Sequence, residues 1–88
     1  MTELRAEIDR IDGALVRLFA ERMQTAGKIA EYKRQNGLPI RDAEREKEKL
    51  TAVTAAASPE YREAAEKLYS TIFELSREYQ QALLRAEG

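Results

Sequence analysis

The chain has 88 residues with 15 basic and 16 acidic side chains, a balance that excludes bulk electrostatic attraction to nucleic acid or anionic membranes. It contains neither cysteine nor histidine, which excludes disulfides, thiolate chemistry, the usual zinc sites and histidine acid–base catalysis. Because no signal-peptide core and no 18-residue apolar run is visible, we expect one domain, residues 1–88, in the cytoplasm.

The first predicted element is one unbroken helix from Glu3 to about Gln35. Thr2 is a plausible N-cap, and Asn36-Gly37 supplies the stop signal. Apolar residues recur along one face at helical spacing: Leu4, Ile8, Ile11, Leu15, Leu18 and Ile29. Gly13 and Gly27 interrupt the helix, and each is either a tolerated surface glycine or a point of close approach by a neighbouring helix.

This helix is too long for its own chain to cover. It would run roughly 50 Å, whereas a compact globule of this size has a diameter near 30 Å. We therefore expect a second copy, or another partner, to bury the overhanging part.

A short connector leads to a second predicted helix, from the N-cap Asp42 to about Ala57. This segment is mostly charged, which favours a lid or strut over a core element. Ser58-Pro59 then predicts the start of a third helix, which runs to about Arg85, with Ser58 as N-cap and Pro59 at the first helical position. Its principal apolar row, flanked by Phe73 and Leu84, is Ala65, Leu68, Ile72, Leu75 and Tyr79. The predicted fold is all-α with three helices: long, short, long.

Several polar residues fall on helix faces that ought to be buried. Arg22 and Lys33 lie on one side of the first helix, almost three turns apart, and Ser76 and Gln80 are neighbours on the third. Taken singly, each such cation is more often a stem that extends its charge to water. Together they indicate an anionic ligand between helices, because unpaired cations on helix seams are costly.

The order and spacing of short motifs then identify a family. The chain resembles the all-helical chorismate mutases, the AroQ class, over nearly its whole length. The motifs are Leu4-Arg5-x-x-Ile8-Asp9-x-x-Asp12, Ala20-Glu21-Arg22, Lys33, Pro39-Ile40-Arg41-Asp42-x-x-Arg45-Glu46 and Gln80-Gln81-Ala82-Leu83.

The resemblance implies an intertwined helical homodimer that rearranges chorismate to prephenate, in phenylalanine and tyrosine biosynthesis, without a cofactor. The long first helices would pair, and Arg5 would enter the partner's site. Because the reaction needs no nucleophile, metal or proton transfer, a chain without histidine or cysteine can catalyse it.

The resemblance also assigns roles to residues. Arg5, Arg22 and Arg45 would hold the two carboxylates, and Ser76 would contact one of them. Lys33 and Gln80 would donate hydrogen bonds to the ether oxygen. The ring hydroxyl would be held by Glu46 and the backbone at Asp42.

Three alternatives stay open at this point. An isochorismate pyruvate lyase-like enzyme shares the architecture and the cationic pocket. A non-catalytic helical interaction module would tolerate neutralisation of Arg5, Arg22, Lys33 and Arg45. A regulatory role is the third, since the family also occurs fused to other enzymes or activated by a partner enzyme.

Overall fold

The computed structural model describes residues 1–87 and contains three α-helices. Helix α1 spans Thr2–Gln35, α2 spans Ala43–Ala56 and α3 spans Arg62–Glu87, with a 3₁₀ turn at Pro59–Tyr61 leading into α3. Within the described residues there is no β-strand. The predicted long–short–long all-α fold is confirmed.

The helix ends confirm two of the predicted signals. The Asp42 side chain accepts a hydrogen bond from the Arg45 backbone N–H at 3.1 Å and so caps α2. At the end of α1, Leu38 N–H donates to the Lys33 carbonyl at 2.8 Å and Gly37 N–H donates to the Arg34 carbonyl at 3.4 Å. This is a Schellman motif, and Gly37 adopts its left-handed conformation with φ +64°.

One predicted cap is wrong, and another is confirmed in position but makes no side-chain bond. Thr2 is already helical, and the N-cap position belongs to Met1, which makes no side-chain capping bond. Ser58 is the N-cap of the 3₁₀ turn but makes no side-chain cap either; its carbonyl accepts from Tyr61 N–H at 2.9 Å instead. A serine or threonine before a helix marks the boundary region, whereas the bond itself depends on local side-chain rotation.

Helix α3 packs against both other helices. Arg22 of α1 lies over Phe73, and Gly27 lies against Leu83, so α1 and α3 run in the same general direction. Glu46 of α2 pairs with Arg77, while the carbonyl that follows α2 accepts from Arg62, so α2 runs antiparallel to α3. The chain therefore goes up, down and up again.

Gly27 is a point of close approach between helices. A Cβ placed there would lie 3.2 Å from Leu83 Cδ1 and 3.5 Å from the Tyr79 ring. A Cβ at Gly13 would meet nothing within 4 Å in the described chain. The close-approach interpretation is therefore confirmed at Gly27, while Gly13 faces open space.

The interior of a single chain is small. The buried apolar residues are Ala26, Ala30 and Phe73, and they are accompanied by two buried polar ones, Ser76 and Gln80. The predicted principal row of α3 is not the buried one, because Leu68, Leu75 and Tyr79 are 39% to 54% exposed. Phe73, which was expected to flank the row, is buried instead. Helical periodicity indicates a face that needs cover but not which chain supplies it.

The apolar stripe of α1 is exposed as well. Its six members, Leu4, Ile8, Ile11, Leu15, Leu18 and Ile29, are 41% to 60% exposed. The molecule measures 51 × 26 × 14 Å with a radius of gyration of 15.8 Å, against about 12 Å for a compact domain of this size. Its accessible surface is 6984 Å², where a globular monomer would show about 5,200 Å². The single chain is an extended, incompletely covered unit.

Candidate active site

Arg22 is held between α1 and α3 by two aromatic rings. Its guanidinium carbon lies 5.9 Å from the centre of the Tyr69 ring and 5.8 Å from that of Phe73. The two rings meet edge to face at 6.0 Å. Both distances are in the range of cation–π contacts. The two rings hold the half-buried guanidinium between α1 and α3 and leave its N–H groups available as donors.

Lys33 is fastened to the connector that follows α1. Its Nζ donates to the Ile40 carbonyl at 2.6 Å, and its own carbonyl accepts from Leu38 N–H. An ammonium has three N–H donors, so two remain for a ligand. The turn at Gly37 thus places the Ile40 carbonyl, which in turn positions the Lys33 ammonium.

Ser76 and Gln80 form a buried polar pair on α3. Each is 7% exposed, and Gln80 Nε2 donates to Ser76 Oγ at 3.2 Å. No group in residues 1–87 donates to Gln80 Oε1, although this atom is buried. Buried polar atoms nearly always have partners, so this pair is a candidate position for binding a polar ligand.

Glu46, on the first turn of α2, is bound by a residue that sequence reasoning missed. Arg77 Nη1 of α3 donates to both carboxylate oxygens, at 2.6 and 2.7 Å. Arg41 Nε lies 4.0 Å from the same carboxylate. No periodic signal singled out Arg77 among the 15 basic residues, because its significance depends on where α2 crosses α3.

Two predicted site residues lie outside this cluster in the single chain. The Arg45 side chain is 67% exposed, with Nη1 3.9 Å from Glu48 Oε2. Arg5 is exposed near the start of α1, about 26 Å along the helix axis from Arg22 at 1.5 Å per residue. An arginine side chain cannot span that distance, so Arg5 cannot join the site of its own chain.

Five of the eight predicted residues are buried or half-buried in the single chain, whereas Arg5, Asp42 and Arg45 are exposed. Arg22 and Lys33 come from α1, Glu46 from α2, and Ser76 and Gln80 from α3. The Asp42 side chain is engaged as the α2 cap. The predicted set combines cations, which suit an anionic ligand, with a carboxylate and a buried amide, which suit polar groups such as a hydroxyl or an ether oxygen.

A groove between α1 and α3, beside Arg22, is almost wholly apolar. Its volume is about 460 Å³, and its walls include Leu15, Phe19, Leu68 and Leu75, with Arg22 at the rim. A dicarboxylate would find one cation there. The groove is therefore suited to an apolar side of another helix rather than to a charged small molecule.

The described helices contain no segment long and apolar enough to cross a membrane. Within residues 1–87 there is also no group of three or more Asp, Glu, His or Cys side chains arranged to hold a metal ion.

Comparison with known proteins supports one family throughout. The family model for chorismate mutase type II matches residues 4–81. A solved chorismate mutase (form II) from Thermus thermophilus superposes with a TM-score of 0.87 at 33% identity, over 91% of this chain and 92% of that one.

Curated relatives match over shorter stretches. The chorismate mutase of Methanocaldococcus jannaschii is 49% identical over 47 residues, which is 53% of this chain and 48% of the relative. The bifunctional chorismate mutase/prephenate dehydratase of Aquifex aeolicus is 50% identical over 48 residues, 54% of this chain and 13% of the relative. The match thus spans about half the length of the first relative and a small part of the second. With the family match over residues 4–81 and the shared fold, the chain belongs to the chorismate mutase type II family.

Proposed function

We propose that this chain is an isomerase that converts chorismate to prephenate, and that residues 1–88 form one catalytic domain. The observation that carries the proposal is the buried Ser76–Gln80 pair, with its unpartnered amide oxygen, one turn of α3 beyond Phe73, over which Arg22 is held. Family membership supplies the substrate. The cytoplasm remains the compartment that we expect, and cell fractionation tests it.

The reaction is an intramolecular rearrangement in which one C–O bond breaks and one C–C bond forms. The protein has two tasks: to hold the compact conformer in which the reacting carbons meet, and to stabilise negative charge on the ether oxygen as the C–O bond lengthens. Neither task needs a proton to move. Fixed cations and amide donors are sufficient for both.

Lys33 and Gln80 are the donors that we assign to the ether oxygen. Lys33 is pre-positioned, because Ile40 holds its ammonium at 2.6 Å before any substrate binds. Gln80 must present Nε2 to the oxygen. A half-turn of its amide achieves this, since Ser76 Oγ–H then donates to Oε1 and Nε2 points into the site.

Arg22 and Arg45 are the carboxylate ligands that we assign within one chain. Arg22 is already held over its two aromatic rings, and its guanidinium fork suits bidentate binding. Arg45 is exposed, so it must turn inward from the first turn of α2 when substrate binds. Such a movement is easy for a long side chain whose ion pair with Glu48 is solvent-exposed.

We further propose that the active form is an intertwined homodimer with shared sites. Three observations support this: the exposed α1 stripe, the apolar groove with Arg22 at its rim, and the distance of Arg5 from its own cluster. The surface excess over a globular monomer, about 1,700 Å² per chain, is as large as a stable protein interface needs. A second copy would cover stripe and groove together and bring its Arg5 to the site.

The direct test is a continuous assay of chorismate consumption with the purified chain, with product identification and the molar mass in solution. We expect prephenate from a dimer. Salicylate and pyruvate from isochorismate, with no prephenate from chorismate, would instead identify a lyase. A well-folded dimer that consumes neither compound would contradict the proposal for the isolated chain.

A further inference from the structure

A second ionic contact between helices lies beside the proposed site, and the family roles do not account for it. Arg77 of α3 and Glu46 of α2 are about three-quarters buried, with side chains 25% and 22% exposed. One guanidinium nitrogen lies 2.6 and 2.7 Å from the two carboxylate oxygens. These are the short distances of charge-assisted hydrogen bonds.

This pair differs from the ordinary surface pairs of the chain. Lys67 and Glu63, for example, are one turn apart on the same helix, 3.5 Å from each other, with side chains 78% and 85% exposed. Such exposed pairs contribute little to the free energy of unfolding. The Arg77–Glu46 pair instead joins two helices across 31 positions of sequence, in a place where solvent screens it less.

The geometry also leaves Glu46 able to bind a ligand. A carboxylate offers about four lone-pair positions, and Arg77 uses both oxygens through a single nitrogen. At least one lone pair on each oxygen remains for another donor. Arg77 therefore fixes the direction of the carboxylate without saturating it.

The position of Arg77 on α3 explains how it acts. It follows Ser76 directly in sequence, and together with Phe73 and Ser70 it lines a hollow of about 330 Å³ on the α2 side of the helix. Ser76 and Gln80 lie on the buried seam. One turn of α3 thus carries both the groups that face the proposed substrate and the group that orients Glu46.

We propose that Arg77 is a positioning residue that sets the Glu46 carboxylate for the ring hydroxyl of the substrate, so that the pair determines preference for hydroxylated over deoxygenated substrate. This rests on the proposed function. Without Arg77 the three-torsion side chain of Glu46 can swing toward Arg41, whose Nε is already 4.0 Å away, and the acceptor leaves its place.

The test compares chorismate with its analogue that lacks the ring hydroxyl. The variants are Arg77→Met, Arg77→Lys, Glu46→Gln and the double variant Arg77→Met/Glu46→Gln. Arg85→Met, an exposed arginine on the same helix, is the matched control. Thermal unfolding and molar mass establish that each variant folds and assembles as the wild type does.

We expect Arg77→Met to lower kcat/KM for chorismate roughly tenfold to thirtyfold, which lies within the range of coupled contacting pairs. For the analogue the loss should be less than about threefold. Glu46→Gln should show the same discrimination, and the double variant should be no worse than Glu46→Gln alone. Arg77→Lys, which keeps the charge on a shorter stem, should lie between wild type and Arg77→Met.

Equal losses on both compounds would overturn the proposal, because they are what a merely structural contact predicts. Arg77→Lys supplies the same comparison if Arg77→Met fails to fold. A wild-type chain that converts neither compound would contradict the proposed function itself. If the wild type converts chorismate but Arg77→Met loses the same factor on both compounds, only the role of Arg77 is contradicted.

Discussion

At the residue scale, the proposed site would depend on cations that are held in place before the ligand binds. Arg22 lies over two rings, and Lys33 is tied to the Ile40 carbonyl. Neither arrangement needs solvent to reorganise when charge develops on the substrate. This is the electrostatic preorganisation that catalysis without proton transfer requires.

Lys33→Ala should therefore reduce catalysis far more than stability. Loss of one donor to a developing oxyanion lowers kcat by about 10²–10³, whereas its single bond to Ile40 contributes only about 1 kcal/mol to folding. Steady-state kinetics and denaturant unfolding measure the two effects. Lys28→Ala, an exposed lysine on the same helix, is the control, and an unimpaired kcat in Lys33→Ala would remove Lys33 from the mechanism.

Gln80 gives a prediction with a definite pH sign. In Gln80→Glu the carboxyl must be protonated to donate a hydrogen bond to the ether oxygen, and once ionised it repels the charge that grows there. Activity should thus be highest at low pH and fall as the pH rises through the pKa of the new carboxyl, about 4.3 in water and higher when buried.

The control for this experiment is Gln81→Glu, which adds the same carboxyl at the exposed neighbouring position. It should leave the wild-type pH profile unchanged. A flat profile for Gln80→Glu would count against the assignment of Gln80.

At the element scale, α3 organises the chain because both other helices pack on it. The contact with α1 depends on Gly27, where a side chain would press on Leu83. The contact with α2 depends on Glu46 and Arg77. Ser76 and Gln80 are buried on the same part of α3, so the spacing of the helices would set the width of the proposed site.

Gly27→Leu should force α1 and α3 apart and lower the free energy of unfolding by about 1–3 kcal/mol, the usual cost of overpacking. Leu83→Ala alone should also destabilise, since it removes packed atoms. Combined with Gly27→Leu, however, it provides the missing space. Denaturant unfolding of both single variants and the double variant measures the coupling, and strictly additive losses would show that the two positions do not meet.

Much of this fold followed from local signals. The Asp42 cap and the Asn36-Gly37 stop fix helix ends through bonds between near neighbours in sequence, and both are confirmed. The buried row of α3 could not be assigned in this way: Phe73, Ser76 and Gln80 share a face with apolar neighbours, and only the crossing helices decide which face is covered by the same chain.

The candidate site residues divide in the same way, into those that local sequence signals indicate and those that depend on contacts between helices. Ser76 and Gln80 were visible as polar residues four apart on an apolar helix, and the structure finds them buried together. Tyr69 and Arg77 were not singled out, because their partners Arg22 and Glu46 are 47 and 31 positions away in sequence. Contacts between distant segments leave no periodic trace.

At the scale of the whole molecule, a chain 51 Å long and 14 Å thick has the shape that the proposed dimer needs. The exposed stripe of α1 and the groove between α1 and α3 are continuous with the cation cluster at Arg22. The proposed dimer would therefore link assembly to catalysis, because the copy that covers the stripe would also bring its Arg5 to the site.

A charge in the middle of the stripe should separate the subunits. Ile8 is 56% exposed in the single chain, so Ile8→Glu should not disturb packing within it. Because apolar burial is lost and a carboxylate is desolvated in each subunit, the dimer dissociation constant should rise by about a hundredfold or more. Sedimentation measures the change, with Ala6→Glu on the opposite helical face as control. An unchanged dissociation constant for Ile8→Glu would show that this part of the stripe is not in the interface.

The central claim, a chorismate mutase whose sites are shared between two subunits, is tested most directly by mixing two inactive variants, Arg5→Ala and Lys33→Ala. In the mixed dimer one site receives Lys33 from one chain and Arg5 from the other, while the second site lacks both. Random exchange should then restore about a quarter of wild-type activity per chain, because half of the dimers are mixed and each has one intact site. No recovery of prephenate formation after verified subunit exchange would contradict the account.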